Sequence, residues 1–138
     1  MKRFNLLLAG LALPLLLLSG CGKNGSDSAS ASANNNLEPI KVQLEVAPQE
    51  IQTGEKVKFT AKVTYQGEEV DDAKEVMFEF WKDGDSEDDH SMESVQSAGE
   101  GNYVLEATFD DPGTYHVISH VTAKDQHSMP SAEFTVIE

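Results

Sequence analysis

His90-Ser91-Met92 and His127-Ser128-Met129 are the same tripeptide, written twice in a chain that has only four histidines and four methionines, one of them Met1. Imidazole and thioether form a donor pair that suits copper, the soft sulfur favouring Cu(I). On an extended strand, a His and a Met two positions apart point to the same side about 6.6 Å apart, so both can reach one ion. The other two histidines, His116 and His120, lie in the same stretch as His127, residues 115–130, where Met129 precedes a proline. Four strand positions separate His116 from His120, about 13 Å, which is too far for a single ion. The preferred metal set is therefore His120, His127 and Met129, with Met77 toward the same end of the fold and His90 with Met92 as a second group.

Other chemistries fit the sequence less well. Asp83-Gly-Asp-Ser-Glu-Asp-Asp89 begins like a calcium loop, with acids at alternate positions. Asp88 stands where an EF-hand requires glycine, however, and no helices flank it, so it reads as a solvated, self-repelling loop. Asp125, His127 and Ser128 are the residue types of a hydrolytic relay, yet three near neighbours in one loop cannot take up the mutual orientation a triad needs. No phosphate loop, nucleotide fingerprint or pair of catalytic carboxylates stands out. The expectation is a protein that binds and does not catalyse.

These side chains must be positioned by strands. From Ile40 onward, apolar residues recur with period two in short runs broken by Gly, Pro, Asp and Asn, the pattern of half-buried strands. Strands are expected at 41–47, 56–65, 75–81, 91–96, 103–109, 114–123 and 133–137. About seven short antiparallel strands in roughly 100 residues is the count of an immunoglobulin-like β-sandwich. Asp110-Asp-Pro-Gly-Thr-Tyr115 reads as a tyrosine corner, which turns Tyr115 inward and puts Val117 where antibody domains carry a core cysteine. By alternation, Val76, Phe78 and Phe80 face the core, and Met77, Glu79 and Trp81 face out. Tyr115, Val117, Ser119 and Val121 likewise face in, and His116, Ile118 and His120 face out. With the third and sixth strands as neighbours, Trp81, Met77, Ile118 and His116 share an outer face. That face supports the alternative to a metal site, an interaction or scaffold surface for another envelope protein. A pH-responsive role for the histidines is a further reading.

The N-terminus supplies an address. Lys2 and Arg3 precede an apolar run over 6–18, shorter than the roughly 20 residues of a membrane span, and then Leu18-Ser19-Gly20-Cys21. This is the layout of a secretory signal, and the last four residues resemble a bacterial lipoprotein signal, which implies lipidation of Cys21, the chain's one cysteine. Residues 1–20 are expected to be the signal peptide, 21–37 the lipidated cysteine and flexible tether, and 38–138 the folded domain. The tether is Gly, Ser, Ala and Asn with almost nothing to bury, and as a flexible coil would span about 22 Å. Its owner would sit on the outer face of the cytoplasmic membrane, held in the lipid bilayer by Cys21 and free of disulfides.

The net charge of the whole chain is −14, and removing Lys2 and Arg3 makes the mature chain two charges more acidic. Nucleic acid is excluded as a partner, because binding a phosphate backbone needs a basic face. Cations are attracted instead.

Phe78-Glu-Phe-Trp-Lys-Asp-Gly84, Glu87-Asp-Asp-His-Ser-Met92, Gly113-Thr-Tyr-His116 and His120-Val-Thr-Ala-Lys-Asp-Gln-His-Ser-Met-Pro130 together resemble the YtkA-like, FixH-related domain of Gram-positive lipoproteins. The resemblance spans nearly all of residues 39–138. It implies a small, membrane-attached extracytoplasmic β-sandwich, sometimes found near metal-handling or respiratory proteins, and it supplies no catalytic residue.

Overall fold

The computed structural model describes residues 38–138. The signal peptide, Cys21 and tether expected at 1–37 lie outside the described residues. Eleven strands make two facing sheets. In chain order they are β1 (Lys41–Ala47), β2 (Glu50–Gln52), β3 (Lys56–Tyr65), β4 (Glu68–Glu69), β5 (Glu75–Lys82), β6 (Ser91–Ser94), β7 (Ser97–Gly99), β8 (Asn102–Thr108), β9 (Gly113–Ala123), β10 (Gln126–Ser128) and β11 (Ser131–Ile137). One sheet runs β1-β3-β8-β7 with β4 beside β3, and the other runs β2-β11-β9-β5-β6 with β10 beside β9. All pairings are antiparallel except that of β2 with β11.

All seven expected strands are present, arranged as an immunoglobulin-like sandwich. The additional ones, β2, β4, β7 and β10, have two or three residues each, too few to show an alternation. The strand expected over 91–96 ends early, β6 stopping at Ser94, because the chain then crosses to β7 in the other sheet.

The core fills the space between the two inward faces. Val57, Phe59, Ala61 and Val63 of β3 face Val76, Phe78 and Phe80 of β5 and Val117 and Val121 of β9, all of them buried. Phe59 is the hub, with ring centroids 5.9 Å from Phe78, 5.9 Å from Phe80 and 5.5 Å from Phe134. Burying one such side chain is worth about 1.5–3 kcal/mol. Residues 38–138 thus hold a complete sandwich with its own core.

The tyrosine corner is formed: the Tyr115 hydroxyl donates to the Asp111 carbonyl at 2.9 Å. Burial, with Asp111, Asp85 and Asp110 nearby, pushes the Tyr115 hydroxyl above its ordinary pKa, which keeps it a donor. Two residues on, Val117 fills the core without a disulfide. One inward residue breaks the apolar pattern. Ser119 is fully buried, and its hydroxyl has no hydrogen-bond partner.

Opposite effects follow for two single-atom-scale changes, read by urea denaturation. Ser119→Ala removes an unsatisfied buried hydroxyl and is expected to stabilise by about 1 kcal/mol. Tyr115→Phe removes the corner hydrogen bond and is expected to destabilise by about 1 kcal/mol. Equal signs for the two would contradict these assignments.

Candidate metal-binding face

The outer side of the β5–β9 sheet is built by register. Pairing sets Met77 opposite His120, Glu79 opposite Ile118 and Trp81 opposite His116. On the other side of β5, Glu79 faces Met92, and the next position out from the paired Phe80 and Ser91 brings His90 to Trp81. On the far side of β9, Ser131 faces Ile118 and Glu133 faces His116.

The chain around His127 differs from expectation. It is no loop: residues 126–128 are the strand β10, closed onto β9 by a two-residue turn in which Lys124 and Asp125 have φ of 50° and 57°. This is the left-handed turn that favours tight hairpins, ordinarily marked by Asn or Gly; Lys-Asp carries no such mark. Ser128 pairs with Val121 and Ser131 with Ile118, so β10 and β11 keep one register along β9. The Ser119 amide donates to the Pro130 carbonyl at 3.0 Å, which joins the two segments. Met129, between them, consequently falls opposite His120.

Three rows of side chains result. The first is Met77, His120, Met129, one from each of three adjacent strand positions, with His127 beside it. The His120 and His127 ring centroids are 6.1 Å apart, and His127 Nδ1 shares a 2.9 Å hydrogen bond with the Thr122 hydroxyl. The second row is Met92, Glu79, Ile118 and Ser131. The third is His90, Trp81, His116 and Glu133. Directly opposed side chains on neighbouring strands lie about 4.5–5.5 Å apart at Cβ, so the first row sets a methionine on each side of one histidine.

Glu79 ties the first and third rows together. His90 donates from Nδ1 to its Oε1 and His120 from Nε2 to its Oε2, each at 2.6 Å. The hydrogen bond from His90 is the main reason the Glu79 carboxyl sits below its ordinary pKa; burial works against it and His120 adds to the lowering. The sequence assigns His90 and His120 to separate metal groups and does not count Glu79 among the site residues. Its outward position on the middle strand, between Met77 and Trp81, was the available signal.

The third row is closed by stacking. Trp81 lies flat against His90, with centroids 4.3 Å apart and planes 8° apart, and against His116 at 5.3 Å and 22°. His116 is also held by acids, Nε2 facing Asp83 Oδ1 and Nδ1 facing Glu133 Oε1, both at 3.2 Å. Both its nitrogens are engaged, and it stands apart from the His120 group as the spacing required. Trp81, Met77, Ile118 and His116 share the face, as expected of an interaction surface, but all are half-buried. The exposed large apolar side chains among the described residues are Met92 at 55%, Met129 at 51% and Ile137 at 39%.

The acidic run over 83–89 forms a turn and one 3-10 turn, Glu87–Asp89. Asp85 accepts from the Lys82 amide and Asp89 from the Ser86 hydroxyl. Among the described residues, no three His, Cys, Asp or Glu side chains are grouped to hold a metal ion by themselves.

Residues 34–120 match the family model described as YtkA-like. The chain belongs to the YtkA-like family. That match ends at His120, so His127 and Met129 lie beyond it. No curated protein matches the chain. Among solved structures, an engineered protein is 12% identical over 71% of this chain and 20% of its own, with a TM-score of 0.53. A computationally redesigned β-sandwich protein is 19% identical over 72% of this chain and 95% of its own, TM-score 0.49. The soluble domain of PmoD from Methylocystis sp. is 14% identical over 71% and 90%, TM-score 0.48. At 12% identity the likeness to the engineered protein is one of fold.

A pH dependence follows from Glu79. Its pKa is lowered in the folded YtkA-like domain, so its contribution to stability is present above the unfolded value of about 4.3 and is lost as pH falls through the lower folded value. The stability difference between the parent and Glu79→Gln should shrink as pH falls below about 4. Urea titrations at several pH values check this; a difference that persists unchanged into strong acid would show that the carboxylate is not its source.

Proposed function

We propose that this YtkA-like domain is a non-catalytic binding module that holds copper as Cu(I) through Met77, His120, His127 and Met129. The observation that carries the reading is the placement of Met77 and Met129 on either side of His120, with the His127 ring 6.1 Å from the His120 ring. Two thioethers and two imidazoles are a soft, largely neutral donor set, which suits Cu(I) better than the hard divalent ions that prefer oxygen. Half-burial of Met77 and His120 limits competition from water, while the exposure of Met129 leaves one side open for an ion to enter or leave. The excess of acids over bases adds a general attraction for cations.

The N-terminal sequence supports a location. A basic start, a short apolar run and Leu18-Ser19-Gly20-Cys21 fit export and lipidation, which would hold the domain at the outer face of the cytoplasmic membrane on its Gly/Ser/Asn tether. Holding or handing over an ion near a membrane is a role for which such a tether is suited.

Competition titration of residues 38–138 with Cu(I) against a chelator of moderate affinity tests the reading. The parent should take the metal, and His127→Ala/Met129→Ala, which lacks two of the four ligands, should bind at least about tenfold more weakly, a loss of about 1.4 kcal/mol or more. A parent that takes no copper, or a double variant that binds as well, rejects it. In that event a partner pulled from membranes by the parent and lost on Trp81→Ala, regardless of chelator, would favour the envelope-protein interaction surface instead.

A further inference from the structure

Glu79 is the central side chain of the outer face, and each of its oxygens takes a hydrogen bond from a different ring. The three side chains involved are shielded: His90 is 13% exposed, Glu79 14% and His120 17%. An ionised carboxylate accepts and cannot donate, so the ring nitrogen that faces it must carry the hydrogen. In neutral His90 the lone pair is then on Nε2. In neutral His120 it is on Nδ1.

We propose that Glu79 is the positioning residue of this face: one carboxylate locks the tautomers of His90 and His120 together, and thereby selects His90 Nε2 and His120 Nδ1 as the only ring atoms on these two residues that can ligate a metal. The last clause rests on the copper reading; the lock itself concerns the metal-free chain. Metal-binding histidines ordinarily donate their second nitrogen to a carboxylate or carbonyl, which fixes the ring and raises its basicity as a ligand. Here a single acid serves one ring on β9 and one ring just before β6, to either side of it, in line with the reach of diagonal neighbours in a sheet. Stacking on Trp81 at 4.3 Å holds the His90 ring in plane and restrains it from turning over.

The assignment for His90 is the sensitive one. Free histidine prefers its proton on Nε2, so the Nδ1–H form of His90 exists only because something accepts from Nδ1. His120 is locked in the form it already favours. The two substitutions that separate these cases behave differently. Glu79→Ala leaves neither ring a carboxylate, and His90 should revert to Nε2–H. Glu79→Gln offers one carbonyl oxygen and one NH2 group, so it can accept from one ring but must donate to the other, and only one ring can keep its parental tautomer.

Long-range 1H–15N correlation spectra of metal-free residues 38–138 at neutral to mildly alkaline pH read the tautomers directly, with His90→Ala and His120→Ala for assignment and far-UV circular dichroism to verify the fold. The expected result is Nδ1–H for His90 and Nε2–H for His120 in the parent, and reversal of His90 in Glu79→Ala. Copper affinity of that variant, measured by the same competition titration, should fall by about 10–100-fold. Finding His90 protonated on Nε2 in the parent, or an Nδ1–H form that survives Glu79→Ala, overturns the lock. An unchanged copper affinity in Glu79→Ala overturns the positioning of His120 for metal by Glu79, the orientation and basicity that its carboxylate gives that ring. Failure of the parent to bind copper rejects the metal reading alone, since the tautomers are measured without metal.

Discussion

The antiparallel pairing of β5 with β9 is the constraint on which both faces of the second sheet depend. It runs unbroken from Glu75 opposite Thr122 to Lys82 opposite Tyr115. Because strand side chains alternate, this one register sends Val76, Phe78, Phe80, Val117 and Val121 into the core and lines up Met77 with His120 and Trp81 with His116 outside. A slip of one residue would exchange the two sets and place imidazoles and a carboxylate against Phe59. The burial of five apolar side chains and the hydrogen bond from Tyr115 to Asp111 oppose any such slip. The stability of the core and the arrangement of the outer face are therefore set by the same choice.

The outer face is an unusual surface for so acidic a chain. Its polar groups are consumed by one another: Glu79 accepts from two rings, and His116 lies between Asp83 and Glu133. Partial burial makes such pairing necessary, since a half-desolvated carboxylate without donors would carry an uncompensated charge. Trp81 contributes by stacking on both imidazoles of its row, and so restricts their rotation. What remains unengaged is chiefly sulfur, at Met77, Met92 and Met129. A surface whose nitrogens are oriented and whose sulfurs are free differs in kind from a patch that merely exposes apolar area, and the YtkA-like sandwich beneath it provides three neighbouring strand positions to hold it.

Much of this was legible in the chain before its structure. The seven main strands follow from period-two alternation and Gly, Pro and Asp breaks, and the Asp-Pro-Gly-Thr-Tyr motif announced the tyrosine corner. Inward and outward sets on β5 and β9 were assigned correctly because long strands give alternation enough positions to be unambiguous. The region around His127 was not legible as strand. A three-residue strand shows no period, and the turn before it uses Lys-Asp in a left-handed conformation that ordinarily selects Asn or Gly. Nor was the part played by Glu79 legible beyond its outward position, since that position does not say which rings of the neighbouring segments will meet its carboxylate.

The sequence by itself determined the sandwich, the inward apolar set, and the presence on one stretch of the donor types from which the outer face is made. These are local properties: alternation, turn chemistry and side-chain type act between residues near one another in the chain. Which donors meet was decided only by the tertiary structure. Met77 and His120 are 43 positions apart, and Glu79 and His120 are 41 apart. Their meeting depends on the order of strands in the sheet and on the register between them, both fixed by packing of the whole core around Phe59.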